Sequence, residues 1–200
     1  MIIITNPGAI ANEVSIIHKL FDEGMELLHI RKPELSRLEF IQFVNSIDKE
    51  YYSKLVLHQY YEITDDYDIT MLHITEKNRS AFYDDTNKLT EKAGMVFSTS
   101  IHSIEDFNRL SGIFEYAFLS PVYESISKQG YKAGHDILAS VERRTNFTTR
   151  LIALGGITHE NCIDTVKSGF DDVAVLGCIW NAKYPLEEFK KCFRAITNYV

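Results

Sequence analysis

The sequence predicts a closed (β/α)8 barrel, that is, a TIM barrel, from three observations. Eight short apolar segments, each typical of a buried strand, alternate with segments of helical periodicity along the 200 residues. Unbroken apolar strands joined by helices indicate a parallel sheet that is buried on both faces. The count of eight, with no linker or low-complexity segment between them, favours a closed barrel over an open sheet. Because 45% of the residues are hydrophobic, we expect a single domain over residues 1–200.

The first half of the chain is expected to supply four strands and two clear helices. Asn12 can cap the first helix, which would run through Glu23. Ser36 can cap a second, amphipathic helix whose apolar face includes Leu38. The acidic segment 60–68 has weak periodicity and predicts a short helix. The strands are predicted at residues 2–5, 27–31, 55–57 and 71–74.

The middle of the chain is more polar. Residues 75–79 are polar, and Asp84 or Asp85 is expected to cap the next helix, which Gly94 should end. The fifth and sixth strands are predicted at residues 95–99 and 116–119, and three further helices are expected to begin at Ser103, Asp136 and Pro185.

The stretch from Arg150 to Trp180 indicates the functional end of this barrel. It contains two apolar runs, the first followed by Gly155 and Gly156 and the second by Gly177. Glycine just past a strand lets main-chain amides close around an anion, and a following helix adds positive partial charge. The loops after the last two strands of such a barrel commonly bind phosphate. The sequence therefore predicts a phosphate site there.

Composition and charge exclude several classes of protein. The net charge is -7, and no long basic run is present, which argues against nucleic-acid binding. No apolar run reaches the length of a membrane span, and the first residues do not resemble a signal peptide. Three cysteines without a close pair favour a reduced protein, so we expect the cytoplasm. A homodimer is compatible with the sequence.

Polar residues at the carboxyl ends of the predicted strands should line the mouth of the barrel. Most of them are groups that hold oxyanions or move protons. They are Thr5, His29, Arg31, His58, Gln59, His73, Ser100, His102, Ser125, Ser127, Lys128, Gly155, Gly156 and Gly177.

Several of these residues favour a phosphate or diphosphate ester as ligand. Arg31 offers a planar fork that suits phosphate oxygens, and Lys128 offers a mobile point charge. Ser125 and Ser127 can donate to the same oxygens. Two simpler interpretations stay open: Arg31 could pair with a carboxylate of the barrel, and Lys128 could be a solvated lysine in a polar loop.

The histidines divide by position. His29 and His58 are candidates for acid–base catalysis. His73, flanked by apolar residues, is interpreted as a core histidine with satisfied hydrogen bonds. No pair of these histidines has a tight ligand motif, so a metal site built from them is less favoured.

The order of several short motifs resembles the family of thiamine phosphate synthase and TenI, a thiazole tautomerase, over nearly the whole chain. Residues 28–32 resemble the second-strand motif of the family, which is Gln-x-Arg-Glu-Lys in synthases and His-Ile-Arg-Glu-Arg in TenI. The remaining matching segments are Met71-Leu72-His73-Ile74, Ser98-Thr99-Ser100-Ile101-His102-Ser103, Pro121 to Lys128, and Ile152-Ala153-Leu154-Gly155-Gly156-Ile157.

The resemblance implies an enzyme of thiamine biosynthesis that joins the pyrimidine diphosphate HMP-PP to thiazole phosphate and releases pyrophosphate. It places Arg31, Ser127 and Lys128 on the diphosphate and Ser100 beside the pyrimidine. It places Ser125 on the thiazole phosphate, and the main chain of Gly155, Gly156, Leu176 and Gly177 beside it.

The resemblance also identifies departures from the synthase pattern. Synthases hold Mg²⁺ with two aspartates, and the corresponding positions are Gln59 and Asn78, which are weaker ligands. His29 follows TenI, whose reaction needs no metal, but the proposed catalytic histidine of TenI corresponds to Pro121. The sequence predicts a synthase first and a metal-free tautomerase second. A phosphate-binding regulator without activity and an unrelated phospho-sugar isomerase follow as third and fourth possibilities.

Overall fold

The predicted closed barrel is confirmed in the computed structural model, which describes residues 1–84, 94–123 and 137–199. Eight parallel strands follow one another around the barrel in chain order, and the last pairs with the first. They are β1 (Ile2–Ile4), β2 (Leu28–Ile30), β3 (Leu55–Leu57), β4 (Met71–Ile74), β5 (Val96–Ile101), β6 (Phe114–Leu119), β7 (Arg150–Leu154) and β8 (Asp172–Val175).

The strands separate two apolar cores by simple alternation, because successive side chains of a strand point to opposite faces. Ile3 packs in the larger core with residues from the helices, whereas Ile2 and Ile4 belong to a second cluster with Tyr116 and Phe118. This second cluster fills the inside of the barrel.

The helices flank these strands, and three short 3-10 segments lie between them. None of the helices in the described ranges is long and apolar enough to cross a membrane. The 3-10 segments are Lys49–Lys54, Tyr61–Asp65 and Val141–Arg143. The helices are α1 (Glu13–Asp22), α2 (Arg37–Asn45), α3 (Glu76–Asp84), α4 (Ile104–Asn108), α5 (Ile137–Ser140), α6 (Cys162–Lys167), α7 (Gly177–Trp180) and α8 (Pro185–Thr197).

The first two helices differ in how well their starts were predicted. Ser36 caps α2 in a reciprocal capping box with Glu39, as expected. Asn12 precedes α1 but has a φ of 58° and makes no side-chain cap, so that prediction was wrong. Leu38 was also misplaced, since 67% of it is exposed while Phe40 is buried. Val44 of the predicted apolar set is buried as expected, so the difference is confined to the start of the helix.

The helix after β4 begins earlier than predicted, because α3 already starts at Glu76, within the polar segment. An acidic residue in the first turn favours a helix start, and Arg79 lies 3.9 Å from Glu76 one turn later. The candidate cap Asp84 is instead the last residue of this helix as described. Asp85 and Asp136, which were also expected to start helices, lie outside the described residues.

Candidate active site at the barrel mouth

Three histidines meet inside the barrel. His29 lies on β2, His73 on β4, and His58 directly follows β3. Ring nitrogens of the three lie within 4.8 Å of one another, and the His58 and His73 rings stack with their centroids 4.2 Å apart. All three are buried, His58 with 9% of its surface exposed and His29 with none.

A hydrogen-bonded chain begins at His58 and passes through the interior. His58 Nε2 lies 2.9 Å from His29 Nδ1, and His29 Nε2 lies 2.7 Å from the hydroxyl of Tyr116. Tyr116 lies opposite Ser98 in the pairing of β5 with β6.

A second hydrogen-bonded segment runs from Ser98 to the mouth. Ser98 Oγ lies 2.9 Å from His73 Nδ1, and Ser100 Oγ lies 2.9 Å from His73 Nε2. Ser100 is half-buried near the end of β5. His73 therefore has two satisfied ring nitrogens, as predicted for a core histidine, and it also connects Ser98 to a candidate substrate residue, Ser100.

Burial makes these groups poor ion formers. It lowers the pKa of His29 and of His58 well below the usual 6.5, and His73 adds to both shifts. Burial, aided by the positive charge of Arg31, lowers the pKa of His73 to about 3. Burial also raises the pKa of Tyr116. At neutral pH the interior therefore holds three neutral imidazoles and a neutral phenol, each able to donate and accept.

Arg31 lies just past β2 with its side chain exposed. Its backbone amide donates to Thr5 Oγ1 at 2.9 Å, which ties the ends of β1 and β2 together. The guanidinium lies close enough to His58 and His73 to lower the pKa of both. Within residues 1–84, 94–123 and 137–199 no carboxylate pairs with it, so the geometry leaves its fork available for an anion.

Arg79 is a mouth residue that the sequence interpretation missed. It lies in the first turn of α3, and its Nη1 donates to the main-chain oxygen of Ser100 at 2.9 Å. Recognising residues 76–84 as a helix would have been the signal, because the first turn of that helix follows β4 at the mouth.

The glycine turn after β7 has a conformation that requires glycine. Gly155 and Gly156 have φ values of 102° and 66°, a region that other residues rarely adopt. A Cβ on Gly155 would lie 2.9 Å from the Cα of Pro121. The Gly155 oxygen accepts from the amide of Tyr123, so the turn is fixed against the segment after β6.

The main-chain amides of these turns are positioned for an anion. Gly155, Gly156, Leu176 and Gly177 are all half-buried. Gly177 begins α7, directly after Leu176. No hydrogen bond from the amides of Gly156 and Gly177 reaches an acceptor in the described part of the chain. Unpaired amides at a strand–helix turn are typical of phosphate sites.

The loop that carries the remaining predicted phosphate ligands is not described. Ser125, Ser127 and Lys128 all lie between residues 124 and 136, outside the described ranges. Their roles stay predictions.

The two candidate magnesium positions do not fit Mg²⁺. The Gln59 amide donates to the main-chain oxygen of Lys32 at 2.9 Å. Asn78 is exposed on α3. Mg²⁺ is held best by carboxylate oxygens, and both residues are neutral amides.

Lys32 holds the loop beside Arg31 in place, a role that the sequence interpretation missed. Its ammonium contacts both carboxylate oxygens of Glu13, at 2.8 and 2.6 Å, and donates to the Gly8 oxygen at 2.9 Å. Both side chains are buried. This ion pair fixes the β2–α2 loop, next to Arg31, against the start of α1.

Comparison with known proteins agrees with this architecture. The family described as thiamine monophosphate synthase, TMP-TENI, matches residues 1–179. The chain is 23% identical over 195 residues to thiamine-phosphate synthase of Bacillus velezensis. This alignment covers 90% of the chain and 83% of that relative.

Two solved structures extend the comparison. Thiamine phosphate pyrophosphorylase from Bacteroides thetaiotaomicron has a TM-score of 0.77 at 25% identity, covering 98% of this chain and 97% of the other. The 3-hexulose-6-phosphate synthase from Salmonella typhimurium has a TM-score of 0.72 at 15% identity, covering 100% and 99%, and shows the fold alone. With its eight-stranded barrel and a family match that spans all the described mouth residues, the chain belongs to the thiamine monophosphate synthase family.

Proposed function

We propose that the protein is a thiamine phosphate synthase that joins HMP-PP to thiazole phosphate and releases pyrophosphate. The observation that carries the proposal is the family match over residues 1–179, which includes every strand of the barrel. The unpaired amides of Gly156 and Gly177 support it, because the reaction needs a site for a phosphate ester.

The reaction breaks a carbon–oxygen bond and forms a carbon–nitrogen bond at the same carbon atom. The bond between the pyrimidine methylene carbon and the diphosphate oxygen breaks, and its electron pair leaves with pyrophosphate. The thiazole nitrogen then donates its lone pair to the methylene carbon, which forms the product cation. No proton needs to be transferred, so the protein acts by alignment and by stabilising the leaving diphosphate.

The residues divide between the two substrates. Arg31, Ser127 and Lys128 hold the diphosphate and offset its growing charge. Ser100, held by His73 at 2.9 Å, lies beside the pyrimidine.

The second substrate is held at the opposite side of the mouth. The amides of the Gly155-Gly156 turn, together with those of Leu176 and Gly177, bind the thiazole phosphate, with Ser125 as a further donor.

Activity would be tested with purified protein, HMP-PP and thiazole phosphate, by oxidising the product to its fluorescent form. Since Gln59 and Asn78 are poor magnesium ligands, we expect product formation with a weak dependence on Mg²⁺. The double variant Gln59→Asp and Asn78→Asp should bind Mg²⁺ more tightly and gain activity when Mg²⁺ is added. Absence of product under all conditions would overturn the synthase assignment.

A metal-free thiazole tautomerase is the second candidate, and the neutral imidazoles favour it. A tautomerase moves protons, and His29 and His58 are linked at 2.9 Å in their neutral forms. Faster interconversion of thiazole carboxylate tautomers, without product from HMP-PP, would support this function. Binding of thiazole phosphate without either reaction would indicate a regulator.

Lys128→Ala is expected to weaken diphosphate binding by about 1–3 kcal/mol, the usual contribution of a charge-assisted hydrogen bond. Calorimetry with pyrophosphate would measure the change. Lys49→Ala, which removes an exposed cation in the segment before β3, at the end of the barrel opposite the mouth, serves as the matched control. Unchanged affinity in Lys128→Ala would remove Lys128 from the site.

We place the reaction in the cytoplasm. The free state of Cys162, Cys178 and Cys192 supports a reducing compartment. Assembly as a homodimer stays a proposal, and measuring the molar mass in solution would test it.

A further inference from the structure

The three interior histidines have the spacing and chemistry of a metal site. Their nearest ring nitrogens lie within 4.8 Å of one another, and His29 Nδ1 and His58 Nε2 are only 2.9 Å apart. Two of the three lie on strands, and the third follows a strand directly, so their main chains are held by the sheet. A metal ion needs ligands on such rigid elements.

Partners on the far side of the rings resemble the second shell of a metal site. A histidine ligand usually donates its second N–H to an oxygen, which fixes its tautomer and ring orientation. His29 Nε2 lies 2.7 Å from the Tyr116 hydroxyl, opposite the nitrogen that faces His58. His73 has a serine hydroxyl at 2.9 Å from each ring nitrogen, so either one can ligate while the other donates.

The donor set decides which ion would bind. Imidazole nitrogens suit zinc and neighbouring transition metals, whereas Mg²⁺ requires oxygen ligands. Three neutral ligands with a remaining open position are typical of zinc sites that keep a water molecule. His58 has 9% of its surface exposed, which opens the cluster toward the mouth for an entering ion.

We propose that His29, His58 and His73 bind one divalent transition-metal ion of the zinc class inside the barrel. The site is distinct from the magnesium positions Gln59 and Asn78 and does not depend on the proposed synthase activity. The ion would replace the hydrogen bond between His29 and His58. The proton of that bond moves to the other nitrogen of its own ring, so no charge is lost from the histidines.

A buried dication near Arg31 needs compensation, since a positive charge inside a protein is costly without a partner. An anionic fourth ligand, such as hydroxide or a substrate oxygen, would supply it. This requirement predicts that binding is tighter in the presence of an anion that reaches the mouth.

The test uses the full chain without a histidine tag, freed of metal by a chelator and titrated with Co²⁺. We expect one ion per chain, strong visible absorption typical of a low-coordinate Co²⁺ site, and displacement by Zn²⁺. His73→Asn should abolish this absorption. Tyr116→Phe, which keeps all three ligands, should weaken binding by about 10- to 100-fold, as is usual for a second-shell partner.

His18→Gln is the matched control, because it removes a histidine of α1 and keeps an acceptor for the Asp48 amide. It should bind Co²⁺ like the unchanged protein. Equal affinity in His73→Asn, or a spectrum of octahedral Co²⁺ only, would overturn the proposal.

A measurement on the unchanged chain does not depend on the folding of any variant. In the proton NMR spectrum of the Co²⁺ form, the N–H groups of three imidazoles should be shifted far outside the normal range. Shifted signals from fewer than three imidazoles would overturn the three-histidine assignment.

Discussion

Between about pH 7 and about pH 5 the metal-free protein is expected to lose several kcal/mol of its free energy of unfolding. The cause is the set of three buried histidines, whose pKa values are lowered in the folded state. Unfolded histidines bind a proton near the usual 6.5, whereas the folded ones stay neutral. Below that pH the unfolded state binds more protons and becomes relatively more stable.

The size of the effect follows from proton linkage. Each group with a lowered pKa contributes about 1.4 kcal/mol per pH unit below its unfolded pKa, or about 2 kcal/mol between pH 7 and pH 5. Three such groups give about 4–6 kcal/mol, which is a large part of the net stability of a typical domain. For His73 the loss should continue until the pH approaches its folded pKa of about 3.

Urea unfolding with a chelator present would measure this loss. His29→Gln and His58→Asn each replace a buried imidazole with a neutral amide that can donate and accept, and each should remove about 2 kcal/mol of the pH dependence. His18→Gln should leave it unchanged. A free energy of unfolding that is the same at both pH values would mean that the folded histidines take up protons freely.

Lys32→Met is expected to destabilise the protein by about 3–5 kcal/mol, because it leaves the buried carboxylate of Glu13 without its partner. Lys32 Nζ is the group that contacts both oxygens of Glu13, at 2.8 and 2.6 Å. Burial already raises the pKa of Glu13 although Lys32 opposes the shift. Without the ammonium, we expect this pKa to rise further.

A double-mutant cycle would separate the interaction energy of Lys32 and Glu13 from the effects of the single substitutions. Lys32→Met combined with Glu13→Leu should recover most of the lost stability, since an apolar pair removes the unpaired charge. Arg37→Met, which breaks an exposed ion pair with Glu62, is the control and should change stability by about 1 kcal/mol or less. A similarly small effect of Lys32→Met would show that water reaches Glu13 in the folded protein.

The barrel could be predicted because each of its strands is a short apolar run with a clear end. The start of α3 was not predicted, because residues 76–79 are polar and carry no apolar periodicity. The start of α3 is stabilised by Glu76 and by the contact of Arg79 with β5. The second of these is a tertiary contact, which the local sequence does not reveal.

The contact between the histidines could be predicted in part from the sequence. His29 and His73 each lie between two aliphatic residues that pack outward, so alternation directs both imidazoles into the barrel. The position of Tyr116 opposite Ser98 could not be predicted, because the pairing of β5 with β6 shifts register between Phe97 and Ser98. That irregularity decides which residue of β6 lies opposite Ser98.

The pairing of Lys32 with Glu13 is a different case. The two residues are 19 positions apart, and both are of a type that is usually exposed. Only the folded chain brings them together, so composition and periodicity carried no signal.

The two hydrogen-bonded segments of the interior, His58–His29–Tyr116 and Ser98–His73–Ser100, have no fixed polarity in the metal-free protein, because every imidazole and hydroxyl in them can donate or accept. If Ser100 donates to His73, it offers only lone pairs to the mouth, and if His73 donates to Ser100, the serine has a free hydroxyl hydrogen. In the same way, the second ring nitrogen of His58 carries a hydrogen or a lone pair, depending on the direction of its bond with His29. A heteroaromatic guest that contacts Ser100 and His58 can therefore meet either hydrogen-bonding character at each of them, and its own tautomer can select the orientation of each segment.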